Sequence, residues 1–202
     1  MAFDTSKNLS GIGALLIVIG GLSSVVPYVG ILTLVGVILL LIGLKGLASF
    51  YKEDGIFNNS LYAIIASIVG VVVAFATIVI SAVATLASIG IDLNNIEDWA
   101  NIGTEFGNYF ADFGNFSELT TLIGAVIIGL VILFVFAIIA MIFFRKTLTQ
   151  LASKSGVGLF ATAGLIMLIG AVLTIIGVGI LLIWIGFILI TVAFFQMKEQ
   201  QN

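Results

Sequence analysis

The sequence predicts an all-α polytopic membrane protein. It reads as a bundle of six transmembrane helices, two tight helical hairpins flanking two single spans, with an amphipathic helix on the outer side. Three observations predict it. The 202 residues are 61 % hydrophobic and only 8 % charged, where a soluble chain carries about 25 % charge. The apolar residues gather in four blocks, two of them about twice the ~20 residues that cross a hydrocarbon core as a helix. Finally, once six spans are drawn, every Lys and Arg falls on one side of the membrane.

The first block runs from Leu9 to Phe50 and is interrupted by Pro27-Tyr28-Val29-Gly30. Pro and Gly punctuate helices, so the block predicts two spans, 9–26 and 29–50. Lys7 followed by an apolar run also resembles a secretory signal. No small-x-small site leads into a polar start, and a second span follows at once, so a retained span is expected. The second block predicts one span over 61–89 and the third another over 119–145. The last block runs from Val157 to Met197 and breaks at Gly177-Val178-Gly179, predicting spans 157–176 and 179–197. In lipid every backbone group must be paired internally, which helices achieve. The whole chain, 1–202, is expected to be a single integral membrane domain, with hairpins at 1–50 and 157–197.

Between the third and fourth spans lies the segment 91–118. With Ile96 to Phe116 on a helix, Ile96, Trp99, Ile102, Phe106, Tyr109, Phe110 and Phe113 share one side. Asp98, Asn101, Glu105, Asn108, Asp112 and Asn115 share the other. That pattern predicts an amphipathic helix, rich in the aromatic residues that suit a membrane interface. It is expected either to cap the outer ends of the bundle or to offer a docking surface. Gly103, Gly107 and Gly114 line one edge of its apolar face and are expected to pack on a span. Its acids lack the calcium-loop pattern. Asn115-Phe116-Ser117 is a candidate glycosylation sequon.

The basic residues are Lys7, Lys45, Lys52, Arg145, Lys146, Lys154 and Lys198, all in the termini, in the two loops on one side or, for Lys45 and Arg145, in the span ends that meet those loops. The positive-inside rule puts both termini in the cytoplasm and 91–118 outside. The inner side then carries +3 and the outer side −6, which accounts for the net −3.

The hairpins read as copies. At an offset of 150, Gly20 meets Gly170, Gly36 meets Gly186, Leu15 meets Leu165, Ile19 meets Ile169 and Leu39 meets Leu189. Both start and end inside, which would make them parallel repeats about an axis along the membrane normal. Glycines also recur at seven-residue spacing: Gly13 and Gly20, Gly36 and Gly43, Gly170 and Gly177, Gly179 and Gly186. Such faces let helices approach closely, either within the chain or between subunits. In the third span Ser67, Ser81 and Ser88, with Thr77 and Thr85, form a hydroxyl face. It serves either helix contact or a path for a small solute. Lys45 is set about a turn and a half inside its span and is expected to snorkel outward.

Composition argues against several functions. There is no Cys and no His, so thiolate, Cys–His and Ser–His catalysis are excluded, as are cysteine zinc sites. No phosphate-binding glycine motif is present, and no basic cluster suggests nucleic acid. No catalytic, cofactor-binding or metal residue is nominated, and no cofactor is expected. No carboxylate sits near a span centre, where ion-coupled transporters usually place one.

The run Val26-Pro27-Tyr28-Val29-Gly30 is followed by Leu44-Lys45-Gly46-Leu47-Ala48-Ser49-Phe50-Tyr51 and Asp54-Gly55-Ile56-Phe57-Asn58-Asn59-Ser60-Leu61-Tyr62. Together these resemble the mainly archaeal family of multi-pass membrane proteins catalogued as domain of unknown function 996. The resemblance implies a cell membrane and no established activity, and it supplies no site residues. It singles out the loop from Tyr51 to Ser60. There Asp54-Gly55 is expected to form a turn and Asn58 to Ser60 to cap the third span.

The leading expectation is a non-enzymatic membrane subunit or scaffold, with the lipid bilayer and a homo-oligomeric or membrane-complex partner around it. On that reading, substitutions at Gly36 and Gly43 should disrupt assembly. The alternative is a channel or carrier for a small solute. A lipid-modifying enzyme is the remote third: Glu53 and Asp54 with Arg145 and Lys146 could meet a head group, but they form no catalytic constellation.

Overall fold

The computed structural model describes residues 2–24, 28–88, 103, 104, 107 and 116–199. Its secondary structure there is helical, with no strand among the described residues. Among the described residues six long helices follow in order: α1 (Phe3–Gly20), α2 (Ile31–Tyr51), α3 (Asp54–Ser88), α4 (Phe116–Ser155), α5 (Leu159–Leu173) and α6 (Gly179–Gln196). Short 3-10 turns, Gly21–Ser24 and Thr174–Ile176, end α1 and α5. Five of the helices, α2 to α6, with α5 taken through its 3-10 turn to Ile176, are long and apolar enough to cross a membrane. The sequence is thus that of a helical membrane bundle.

The helices differ from the expected spans mostly at their cytoplasm-assigned ends. α1 begins at Phe3 rather than Leu9. Asp4 lies in its first turn, where the helix dipole favours an acid, and pairs with Lys7 at 3.3 Å. The Ser6 hydroxyl donates to the Ala2 carbonyl. This polar start dilutes α1 and separates it from the other five. α3 begins at Asp54, so the expected turn at Asp54-Gly55 and the caps at Asn58 to Ser60 are instead its first two turns. α2 stops because Lys52 turns left-handed, at φ 51°. The Glu53 N–H then donates to the Ala48 carbonyl at 2.9 Å, closing the helix, and α3 starts at once. The outer segment 91–118 lies largely outside the described residues, Asn115 included. Gly103, Thr104 and Gly107 are helical, and a methyl added to Gly103 or Gly107 would meet nothing within 4 Å.

Residues divide into two compact units, Met1–Ser67 with Phe136–Asn202, and Ile68–Val135. In the first unit α1 and α2 pack through their glycines. A methyl on Gly13 would lie 2.5 Å from the Leu40 nitrogen and 2.6 Å from the Gly36 carbonyl oxygen. Gly43 lies against Ser10 and the Ser6 carbonyl, and Gly20 against Thr33. In the second hairpin Gly170 faces the Gly179 carbonyl, and Gly186 faces Met167. Gly177 instead takes φ +81° in the turn, a conformation that other residues enter at a cost. Seven of the eight heptad-spaced glycines therefore bring helices of one hairpin together.

The offset of 150 is kept in burial. From position 12 to 20 and from 162 to 170 the pattern of buried, half-buried and exposed residues is the same. On the second helices, Gly36, Leu40, Gly43, Leu44 and Leu47 are buried, as are Gly186, Ile190, Ala193, Phe194 and Met197. Outside the hairpins the surroundings differ. α6 lies on α1, with Gly21 against Trp184 and the Trp184 indole N–H donating to the Val18 carbonyl at 2.9 Å. On α5 the neighbour is α4, with Gly164 against Arg145 and Leu148. The core of this unit joins both hairpins to Ile56, Leu148 and Leu151, and the Phe160 and Phe194 rings meet edge-on at 4.9 Å.

The second unit comprises the facing stretches of α3 and α4. Gly129 lies against Ile78 and the Ala74 carbonyl. Its outer flanks are apolar and open, with Phe75 and Ile80 both more than two-thirds exposed.

Candidate functional site

The polar residues of the first unit concentrate where α3 begins and α4 ends. These two stretches run antiparallel. The Thr147 hydroxyl, buried, donates to the Ile56 carbonyl at 3.2 Å. One turn along, the Asn59 amide donates to the Gln150 side-chain oxygen at 3.3 Å. Gly55 lies against the Gln150 amide, and the Tyr62 and Phe143 rings meet at 5.6 Å. A glycine at 55 is what lets a glutamine fit there.

Beside this pair a cavity of about 400 Å³ opens. Polar residues Asn59, Arg145, Lys146, Thr149 and Gln150 line it together with apolar Ile142 and Leu168. A helix places residues three and four apart on one face, so 142, 145, 146, 149 and 150 form one stripe of α4. Leu168 comes from α5, which packs closely on α4 there: a methyl added at Gly164 would lie 3.3 to 3.4 Å from the Arg145 stem and Cα. The Lys146 ammonium lies 5.3 Å from the Phe143 ring centre, a cation–π distance. The ion pairs among the described residues are Lys7 with Asp4 and Lys154 with Glu53, the latter at 3.2 Å. Arg145 and Lys146 are in neither, so the cavity wall carries two positive charges with no acid on it.

A second cavity, about 360 Å³, lies between α1, α2 and α6. Ile17, Leu22, Trp184 and Phe187 line it, with Thr33 its one side-chain hydroxyl. The Trp184 N–H is already committed to Val18.

Ser67 donates to the Ala63 carbonyl at 3.0 Å and Thr77 to the Val73 carbonyl at 2.9 Å, so these hydroxyls turn into their own helix. Lys45 is exposed, with its ammonium 5.7 Å from the Phe57 ring centre. Glu53 is drawn to Lys154 rather than to Arg145 or Lys146. Among the described residues no three His, Cys, Asp or Glu side chains gather as a metal site. Sequence reading missed Asn59, Thr149, Gln150 and Leu168 as a group. It took Asn59 for a cap and ended the fourth span at Arg145. The readable signal was the continued helical spacing of polar residues from Arg145 to Gln150.

The family described as "Protein of unknown function (DUF996)" matches residues 32–188. A curated relative, the uncharacterized protein MJ1644 of Methanocaldococcus jannaschii, is 26 % identical over 175 residues, 86 % of this chain and 80 % of that protein. No solved structure matches.

Proposed function

Taking as premise that the chain belongs to the DUF996 family, whose function is unknown, we propose that it is a non-catalytic membrane subunit or scaffold with α3 and α4 as its lateral contact surface. The observation that carries this reading is how little of α3 and α4 the chain itself covers. In their most apolar stretches 22 % and 11 % of residues are buried, against 39 % in α2. Contacts between membrane helices come from close packing rather than from hydrophobic drive, and these two helices leave most of their surface for lipid or for other helices. The glycine seams support the scaffold differently from the way their spacing first suggests. Gly36 and Gly43 are engaged against α1, so substitutions there test the hairpin, not assembly.

The same proposal places both termini and the loop at Lys52 in the cytoplasm and 91–118 outside, on the strength of the basic residues. The channel or carrier alternative draws on the hydroxyl face of α3. It is supported less, since Ser67 and Thr77 bond within their helix.

Native mass spectrometry after gentle extraction tests the proposal. A reproducible complex, with a second protein or with further copies of this chain, is the expected result. A monomer carrying only lipid, across several mild detergents, would overturn it and bring solute flux in liposomes to the fore.

A further inference from the structure

The cavity between α3, α4 and α5 has the chemistry of a headgroup site. We propose that it binds the phosphate of an anionic phospholipid from the leaflet on the side of the basic residues. Three observations meet there. Arg145 and Lys146 bring two positive charges to one wall, and neither is held in an ion pair among the described residues. The Asn59–Gln150 amide pair and the Thr149 hydroxyl add neutral polar groups to the same wall. Thr149 already donates to the Arg145 carbonyl at 2.9 Å, which leaves its oxygen free to accept from a glycerol headgroup. Ile142, on the same stripe of α4, and Leu168, from α5, add apolar groups to the lining of the same cavity. A free phosphate needs only the charged and polar groups; a lipid uses the apolar ones as well.

The depth is consistent with this. Arg145 packs against Gly164, five residues into α5, roughly 8 Å along the helix from Leu159. That is within reach of the boundary between headgroups and acyl chains for a snorkelling Arg or Lys. Basic pockets between membrane helices on the cytoplasmic side bind anionic headgroups in this way. The volume of about 400 Å³ accommodates a glycerophosphate headgroup and the first carbons of a chain.

The test uses the full chain in detergent, with phosphatidylglycerol, phosphatidylcholine and soluble glycerol phosphate as probes. Lipid retention is read by native mass spectrometry and stabilisation by the thermal midpoint. Phosphatidylglycerol should be retained and should raise the midpoint more than phosphatidylcholine does. The double variant Arg145→Gln/Lys146→Gln should weaken its retention roughly ten- to thirtyfold, at about 1 kcal/mol for each basic group near an anionic surface. Lys154→Gln, which removes a charge outside the cavity, should not. Leu168→Trp, which fills the apolar side and keeps both charges, should also lose the lipid, so the outcome does not hang on one variant. Equal retention of the two lipids, or undiminished phosphatidylglycerol binding by the double variant, would overturn the proposal. An equal thermal shift from glycerol phosphate at the same concentration would do so too, and would assign the site to a soluble phosphate.

Discussion

At Gly13 the helices of the first hairpin approach so closely that even one methyl has no room. The obstacle is the backbone of Leu40 and Gly36, which cannot swing aside as a side chain can. Gly13→Ala should therefore destabilise the protein by about 1–3 kcal/mol, the usual cost of overpacking. Gly124, inside α4, is the counterexample, since a methyl there meets nothing within 4 Å. Gly124→Ala should stabilise by about 0.5–1 kcal/mol, because alanine holds a helix with less entropy loss. Thermal unfolding of both variants in one detergent checks the pair, and equal shifts would contradict the packing described here. Sequence spacing picked out seven glycines of the hairpin seams, because a seven-residue step returns to one helix face, but not Gly55 or Gly129, which also pack closely. It could not say which partner they meet. Gly13 and Gly177 look alike in sequence, yet one sits in a seam and the other in a turn at φ +81°.

The helices themselves were largely legible, since apolar runs of the right length admit few alternatives in lipid. The junction between α2 and α3 was not. Asp54-Gly55 has turn chemistry, and that signal was local. What decides the boundary is the left-handed Lys52 and the packing of Gly55 and Ile56 on α4, with contacts to residues 91 or more positions away. α4 ends the same way with glycine, Gly156 at φ +71°, which makes Lys52 the costlier solution. Lys52→Gly should raise stability by about 1 kcal/mol, since a non-glycine residue in the left-handed region costs roughly that much. A lower midpoint for this variant would mean that the lysine side chain contributes more than its backbone costs. The cavity on α4 was hidden for a related reason. Asn59, Gln150 and Leu168 belong to three helices, and only the fold brings them together.

For the whole molecule, the distribution of charge is the feature that sequence alone exposes best. Seven basic residues fall on one side of a six-span drawing, and the proposed orientation follows from them. The chain has no cysteine, so single cysteines report position cleanly. Asp54→Cys should react with an impermeant thiol reagent only from the cytoplasmic side, and Glu105→Cys only from outside. The opposite pattern would invert the topology, and labelling of both positions from one side would change the number of spans. The repeat at an offset of 150 was faint in residue identity, because apolar sequences match by chance. It is plain in burial, where corresponding positions on the two hairpins face inward together.

The bond from Trp184 to Val18 joins residues 166 positions apart. A ribosome adding about 5–20 residues per second makes the acceptor roughly ten to thirty seconds before the donor. Throughout that interval the face of α1 that receives α6 waits inside the translocation machinery or the bilayer with its neighbour still unmade. A newborn chain arrested anywhere before the last hairpin thus presents an open α1, and that face closes only when α6 arrives.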